Sequence, residues 1–228
     1  MDSDLIYKIS VWLIPLTIAI VFHEVAHGWV ARANGDMTAA RLGRLSLNPV
    51  KHIDPIGTVA LPTFLAVIGA PIFGWAKPVP VQQSELNNPR WDMVKVAAAG
   101  PAINIAMACI AAVVAGLMGL GVGAGEFSPV MAFVFQNLLN FILINLFLAV
   151  FNMLPIPPFD GSKVLAGFLP RSIAKPYESL DRFGFLFLIL LILVVPRLTG
   201  IDIIRAVVVP PVAWMMTMLR NLAIAVGG

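Results

Sequence analysis

Ile18-Ala19-Ile20-Val21-Phe22-His23-Glu24-Val25-Ala26-His27 is an apolar run that passes without a break into two histidines four residues apart. Residues at that spacing on an α-helix lie about 40° apart around the axis and about 6 Å along it, so both imidazoles reach one ion. Zinc suits the pair, because it takes nitrogen ligands in a tetrahedral site and keeps one position for water in catalytic centres. Glu24, beside the first histidine, is placed to take a proton from such a water. A soluble helix can carry the same five residues by accident on a solvated face. Inside a membrane span the accident is costly, since an unpaired ionisable side chain at the helix centre costs ~2.5 kcal/mol or more on insertion scales. The run reads as a site for one zinc ion (Zn2+) held in a hydrophobic helix.

The rest of the chain agrees with a membrane setting. Of 228 residues, 59% are apolar and 12% charged, whereas an average soluble domain is about 25% charged. Mean hydropathy is +0.91, with no stretch polar enough for a separate soluble module. One membrane-embedded unit over 1–228 is expected, with its core at 9–165 and a C-terminal helical pair at 177–226. That apolar composition makes the lipid bilayer the expected partner, and the basic residues behind the net charge of +3 cluster in loops instead of forming a continuous stripe, which argues against nucleic acid. Cys109 is the only cysteine, so no internal disulfide forms. The first hydrophobic run starts at Leu5 with Lys8 as its one basic flank and no small-residue cleavage pattern, so a removable signal peptide is not expected.

Six segments approach the ~20 residues that cross ~30 Å of hydrocarbon: 9–31, 56–75, 96–122, 129–152, 178–196 and 201–224. After the first come Arg32, Arg41, Arg44 and Lys51, a basic loop that the positive-inside rule places in the cytoplasm. Lys163, Arg171, Lys175 and Arg182 put the end of 129–152 on the same side. A full crossing by 56–75 would reverse that order, so this segment is read as re-entrant, broken by Pro62, Gly69 and Pro71. Pro196 is expected to end one C-terminal helix and Pro210-Pro211 to interrupt the next. Lys77-Pro78-Val79-Pro80-Val81 excludes regular helix and suggests an extended edge, a short β element to which an unwound peptide adds as a strand. The expected fold class is an all-α polytopic membrane protein of five to six hydrophobic helices with one re-entrant segment.

Two histidines leave zinc short of a protein ligand. The third is expected to be a carboxylate or His52, and Asp160, which follows the 129–152 span on the side of His27, is the best candidate. His23 and His27 lie nine and five residues before Arg32, about 13 and 7 Å below the basic margin. That depth submerges the metal yet keeps it near water.

Four pieces of sequence carry a family resemblance. His23 to His27 resembles the metal motif of the site-2 proteases, intramembrane zinc metalloproteases, in their compact prokaryotic form. Asn152 to Gly161 resembles their Asn-x-x-Pro with downstream Asp-Gly, and Gly100-Pro101-Ala102-Ile103-Asn104 their Gly-Pro-x-x-Asn. Leu47-Asn48-Pro49 to Asp54-Pro55-Ile56-Gly57 is similar to their linker. The resemblance, from Val21 to Leu165, implies zinc ligands His23, His27 and Asp160, with Glu24 as general base and Asn152 as a polar group near the reacting carbonyl. For Gly100, Pro101 and Asn104 it leaves a close helix contact and a hydrogen bond as the leading reading. It further implies hydrolysis of a single-pass transmembrane substrate, unwound near its cytoplasmic end, in a prokaryotic plasma membrane. The PDZ and CBS regions of larger relatives are not expected. Two other classes compete: a metal-ion transporter, and a non-catalytic binder that keeps the fold. Glu126 is nearly the only ligand-like residue in the outer half, and Glu24 and Asp160 are intact, which disfavours both.

Overall fold

The computed structural model describes residues 3–67, 74–122 and 127–227. Ten helices occur among them: α1 (Ser3–Ala33), α2 (Thr38–Arg41), α3 (Leu61–Val67), α4 (Pro89–Val122), α5 (Pro129–Asn152), α6 (Asp160–Phe168), α7 (Arg171–Glu178), α8 (Gly184–Ile189), α9 (Val195–Thr199) and α10 (Ile203–Gly227). Of these, α1, α4, α5 and α10 are long and apolar enough to cross a membrane. The chain is a polytopic, all-α integral membrane protein.

The long helices pack with alternating direction. Asn87 N donates to Asn34 O at 2.8 Å, which joins the end of α1 to the start of α4. The Tyr7 and Phe133 rings meet edge to face at 5.7 Å, and Asn140 Nδ2 donates to Val11 O, so α5 runs alongside α1 in the same direction. The beginning of α10 packs Val208 and Val212 against Leu154, Phe159 and Ala112, while its end lies against Gly116, so it runs with α4. Besides the buried Asn104, Asn140 and Asn145, contact rests on close packing of small residues such as Ala108, Ala111 and Ala112.

Polar groups inside the bundle answer backbone defects. Pro15 has no N–H for Val11 O one turn earlier, and a lone carbonyl in hydrocarbon is expensive. Asn140 Nδ2 fills that place at 2.6 Å.

Several boundaries differ from those expected. α1 begins earlier than the 9–31 segment because Asp4 and Lys8 continue the helix as an i, i+4 ion pair at 3.0 Å. α4 extends the 96–122 segment back to Pro89, and α5 coincides with 129–152. The 178–196 segment is not one helix. It divides into a 3-10 turn (Ser179–Phe183), α8, a π-helical stretch (Leu190–Val194) and α9; Pro196 does not end a helix as expected but lies in the first turn of α9, which Gly200 ends in the left-handed conformation (φ 69°). Four long helices therefore stand among the described residues where five to six were expected. Pro210 and Pro211 do not interrupt α10, whose neighbouring Val208 and Val212 are buried against the bundle and hold the turn.

The 56–75 segment is, among the described residues, a π-helical turn (Pro55–Ala60) leading into α3; Gly69 and Pro71 lie outside the described residues. Its two ends meet. Trp75 N donates to Gly57 O at 3.1 Å, and Thr58 Oγ1 donates to Trp75 O at 2.9 Å. A segment that returns to its own start has both ends on one side of a bilayer, as a re-entrant segment requires. No strand forms among the described residues, so the β element expected at Val79-Pro80-Val81 is absent; Pro78 and Pro80 have no N–H for a ladder. Gly74–Gln82 instead crosses the end of α1.

Candidate metal centre

α1 carries His23 and His27 on its buried face, at 6% and 9% exposure. They are joined from another part of the chain by Asp160, in the first turn of α6. The two Nε2 atoms are 3.0 Å apart. Asp160 Oδ2 lies 3.2 Å from His23 Nε2 and 3.3 Å from His27 Nε2. Asp160 does not act as a helix cap: Phe159 occupies the cap position, and no side chain bonds the α6 amides there.

These three atoms fit a metal. A tetrahedral ion with bonds of ~2.0–2.1 Å requires donor–donor edges of roughly 3.3 Å, close to the triangle observed. His27 Nδ1 donates to Val96 O at 2.7 Å; because a carbonyl only accepts, the proton sits on Nδ1 and Nε2 presents its lone pair to the centre. Two such lone pairs and a carboxylate repel one another unless a cation lies between them. Two imidazoles and one carboxylate are a ligand set of catalytic zinc.

Two glycines make the approach possible. A Cβ on Gly100 would stand 2.5 Å from both His23 Cε1 and His27 Nε2, so α4 admits the imidazoles only where its side chain is absent. A Cβ on Gly161 would stand 2.2 Å from Met153 O, so only glycine lets α6 start tightly enough against the end of α5 to deliver Asp160.

Glu24 borders the cluster. Its Oε2 accepts from Val79 N at 2.8 Å, and among the described residues nothing donates to its Oε1. The Val79 segment is itself anchored: Lys77 N donates to His52 O at 2.8 Å, Arg44 Nη2 donates to Lys77 O at 2.7 Å, and Gln82 N donates to Asp36 Oδ2 at 2.7 Å.

Of the residues expected at the site, His23, His27 and Asp160 converge and Glu24 adjoins them. His52 does not join them; its Nε2 is occupied by Ser46 O at 2.8 Å, which makes it a loop support. Among the described residues, Asn152 bonds only Leu148 O of its own helix, at 3.0 Å. Asn145, in α5, accepts from Asn104 behind the cluster; the signal for it in the sequence is an asparagine in an apolar span.

The sequence profile described as peptidase family M50 matches this chain over residues 11–135 and 121–195. The chain belongs to peptidase family M50. The relatives of this M50 peptidase include YwhC of Bacillus subtilis, which carries a provisional zinc metalloprotease name and is 36% identical over 196 residues, 84% of this chain and 86% of YwhC. Rip2 of Mycobacterium tuberculosis, with the same kind of name, is 29% identical over 84% of this chain and 68% of its own length. MJ0611 of Methanocaldococcus jannaschii is 33% identical over 72% of each chain. No solved structure matches. The protein is a zinc metallopeptidase of the site-2 protease type, and its cofactor is zinc.

Proposed function

We propose that this M50 peptidase hydrolyses peptide bonds in or beside transmembrane helices of other membrane proteins, with one zinc held by His23, His27 and Asp160. The observation behind this reading is the position of the cluster inside a spanning helix, with His27 six residues before the end of α1 at Ala33. That is about 9 Å of helix. A peptide reaching it comes from within or just beneath the membrane surface, which favours a single-pass substrate in the same bilayer.

Zinc, when bound, supplies Lewis-acid polarisation of the scissile carbonyl and acidifies water. Glu24 acts as general base through Oε1, while Val79 N–H holds Oε2 in place. The proton taken from water then passes from Glu24 to the departing amine nitrogen. Asn152, near the end of α5, serves as a polar group for the developing oxyanion once substrate displaces its bond to Leu148 O. The basic residues at and after the end of α1, Arg32, Arg41, Arg44 and Lys51, support a cytoplasmic orientation of this end in a plasma membrane. Substrates must unwind to expose a peptide bond, so glycine, proline or asparagine near the cytoplasmic end of the substrate helix is expected.

The test is co-expression with single-pass proteins of that kind. Wild type is expected to release a fragment and Glu24→Gln, which keeps an acceptor for Val79 N–H, to lower the rate by about 10²–10⁴. Equal fragment from both would overturn the reading.

A further inference from the structure

His23 Nδ1 lies 2.5 Å from Asn104 Oδ1, on the side of the ring away from the metal centre. Asn104 and Asn145 are both fully buried, at 0% exposure, deep between α1, α4 and α5. An imidazole ligates through Nε2 only if its proton is on Nδ1, and an amide accepts that proton only if its oxygen faces the ring. The orientation of Asn104 therefore decides which atom His23 offers.

Phe141 O, a carbonyl, can only accept, and Asn145 Nδ2 donates to it at 2.7 Å. Asn145 Oδ1 is thereby turned toward Asn104, whose Nδ2 donates to it at 2.7 Å and to Ala19 O at 3.4 Å. With Nδ2 committed to two acceptors, Asn104 Oδ1 is left facing His23 Nδ1. Each step fixes the next, from a backbone carbonyl of α5 to the ring of His23.

Resting on the M50 reading, we propose that Asn104 and Asn145 are positioning residues that lock His23 in its Nε2-ligating orientation and tautomer, dictated ultimately by Phe141 O. A packing role would require only the volume of the two side chains. A positioning role requires the acceptor.

The test uses the purified full chain in detergent, with zinc affinity read by chelator competition and the visible d–d bands of the Co2+-loaded form. Asn104→Leu, similar in size but without an acceptor, is expected to weaken zinc binding about 10–100-fold and to displace the cobalt bands. Asn104→Asp, which restores the acceptor, is expected to keep affinity within about threefold of wild type, as carboxylate partners of ligating histidines do. Packing predicts the opposite order, with leucine tolerated and the buried carboxylate not. Unchanged zinc binding in Asn104→Leu, or equal loss in both variants, overturns the proposal while leaving the peptidase reading intact. A wild-type protein that binds no zinc overturns the metal site itself. If Asn104→Leu does not yield monodisperse protein, Asn145→Ala, which frees the Asn104 amide to rotate, replaces it; unchanged affinity and spectrum there overturn the proposal equally.

Discussion

The backbone N–H of Val79 donates to Oε2 of Glu24 at 2.8 Å across 55 residues of sequence. The residue assigned the proton transfer is thus held by the 74–82 stretch as well as by its own helix. Val79 is 6% exposed, so water does not compete for that hydrogen bond.

Val79→Pro deletes the donor and puts the ring Cδ where the N–H pointed, so Glu24 Oε2 loses this support and must move away. A hydrogen bond to a charged group contributes about 1.5–3 kcal/mol. Peptidase kcat is expected to fall by about 10–100-fold at unchanged zinc content, measured on a cleavable transmembrane peptide. Val81→Pro, whose N–H bonds neither Glu24 nor Asp36, is expected to retain activity. Equal loss from both substitutions would place the effect in substrate docking along the loop instead.

Gly100→Ala should empty the metal site. Its new Cβ would press on both imidazoles at 2.5 Å, and its backbone lies inside α4, so the rings must yield. Zinc content of the purified protein is expected to fall below a tenth of wild type, about 1.4 kcal/mol or more of lost affinity. Gly119→Ala in the same helix, where a Cβ meets nothing within 4 Å, is the control and should load zinc normally.

Much of this site was legible because chemistry in a membrane span stands out against an apolar background. His23, Glu24 and His27 are conspicuous in α1, and Asp160 follows a recognisable span end. Other features depended on tertiary contact. Nothing in the spacing of Val79 reveals that its N–H meets Glu24, since the contact depends on how Arg44 and Asp36 hold the loop. The π-helical and 3-10 breaks within 178–196 are not legible in sequence, because Leu190–Val194 is apolar enough for a span and hydropathy does not register helix pitch. The Gly-Pro-x-x-Asn pattern points Gly100 to a close helix contact, whereas its neighbours in the structure are the two histidines.

Asp36 supplies a pH dependence outside the spans. Burial pushes its carboxyl up, but hydrogen bonds from Thr38 and Gln82 outweigh this and leave its pKa lowered. A depressed folded pKa means the loop gains stability above the unfolded value, ~3.9, and loses it as pH falls through the lower folded value. Proteolytic cleavage within 74–82 is expected to accelerate on acidification below pH ~4 in wild type. Asp36→Asn should be cleaved faster at neutral pH, with little further change on acidification. A wild-type rate that does not vary with pH would contradict the role of this carboxylate.

Pro15 and Asn140 form a pair whose coupling can be measured. Asn140→Leu leaves Val11 O without a donor inside the bundle, because Pro15 cannot supply one. The expected destabilisation is about 1–2 kcal/mol, in the upper range for polar contacts between membrane helices. Pro15→Ala returns an N–H one turn after Val11, so in that background Val11 O is satisfied within α1 and Asn140 is no longer needed for it. The double variant should therefore be more stable than Asn140→Leu alone, recovering most of the loss, as judged by unfolding in mixed detergent micelles. Simple additivity of the two substitutions would mean that Asn140 holds α5 to α1 by some means other than the carbonyl that Pro15 leaves open.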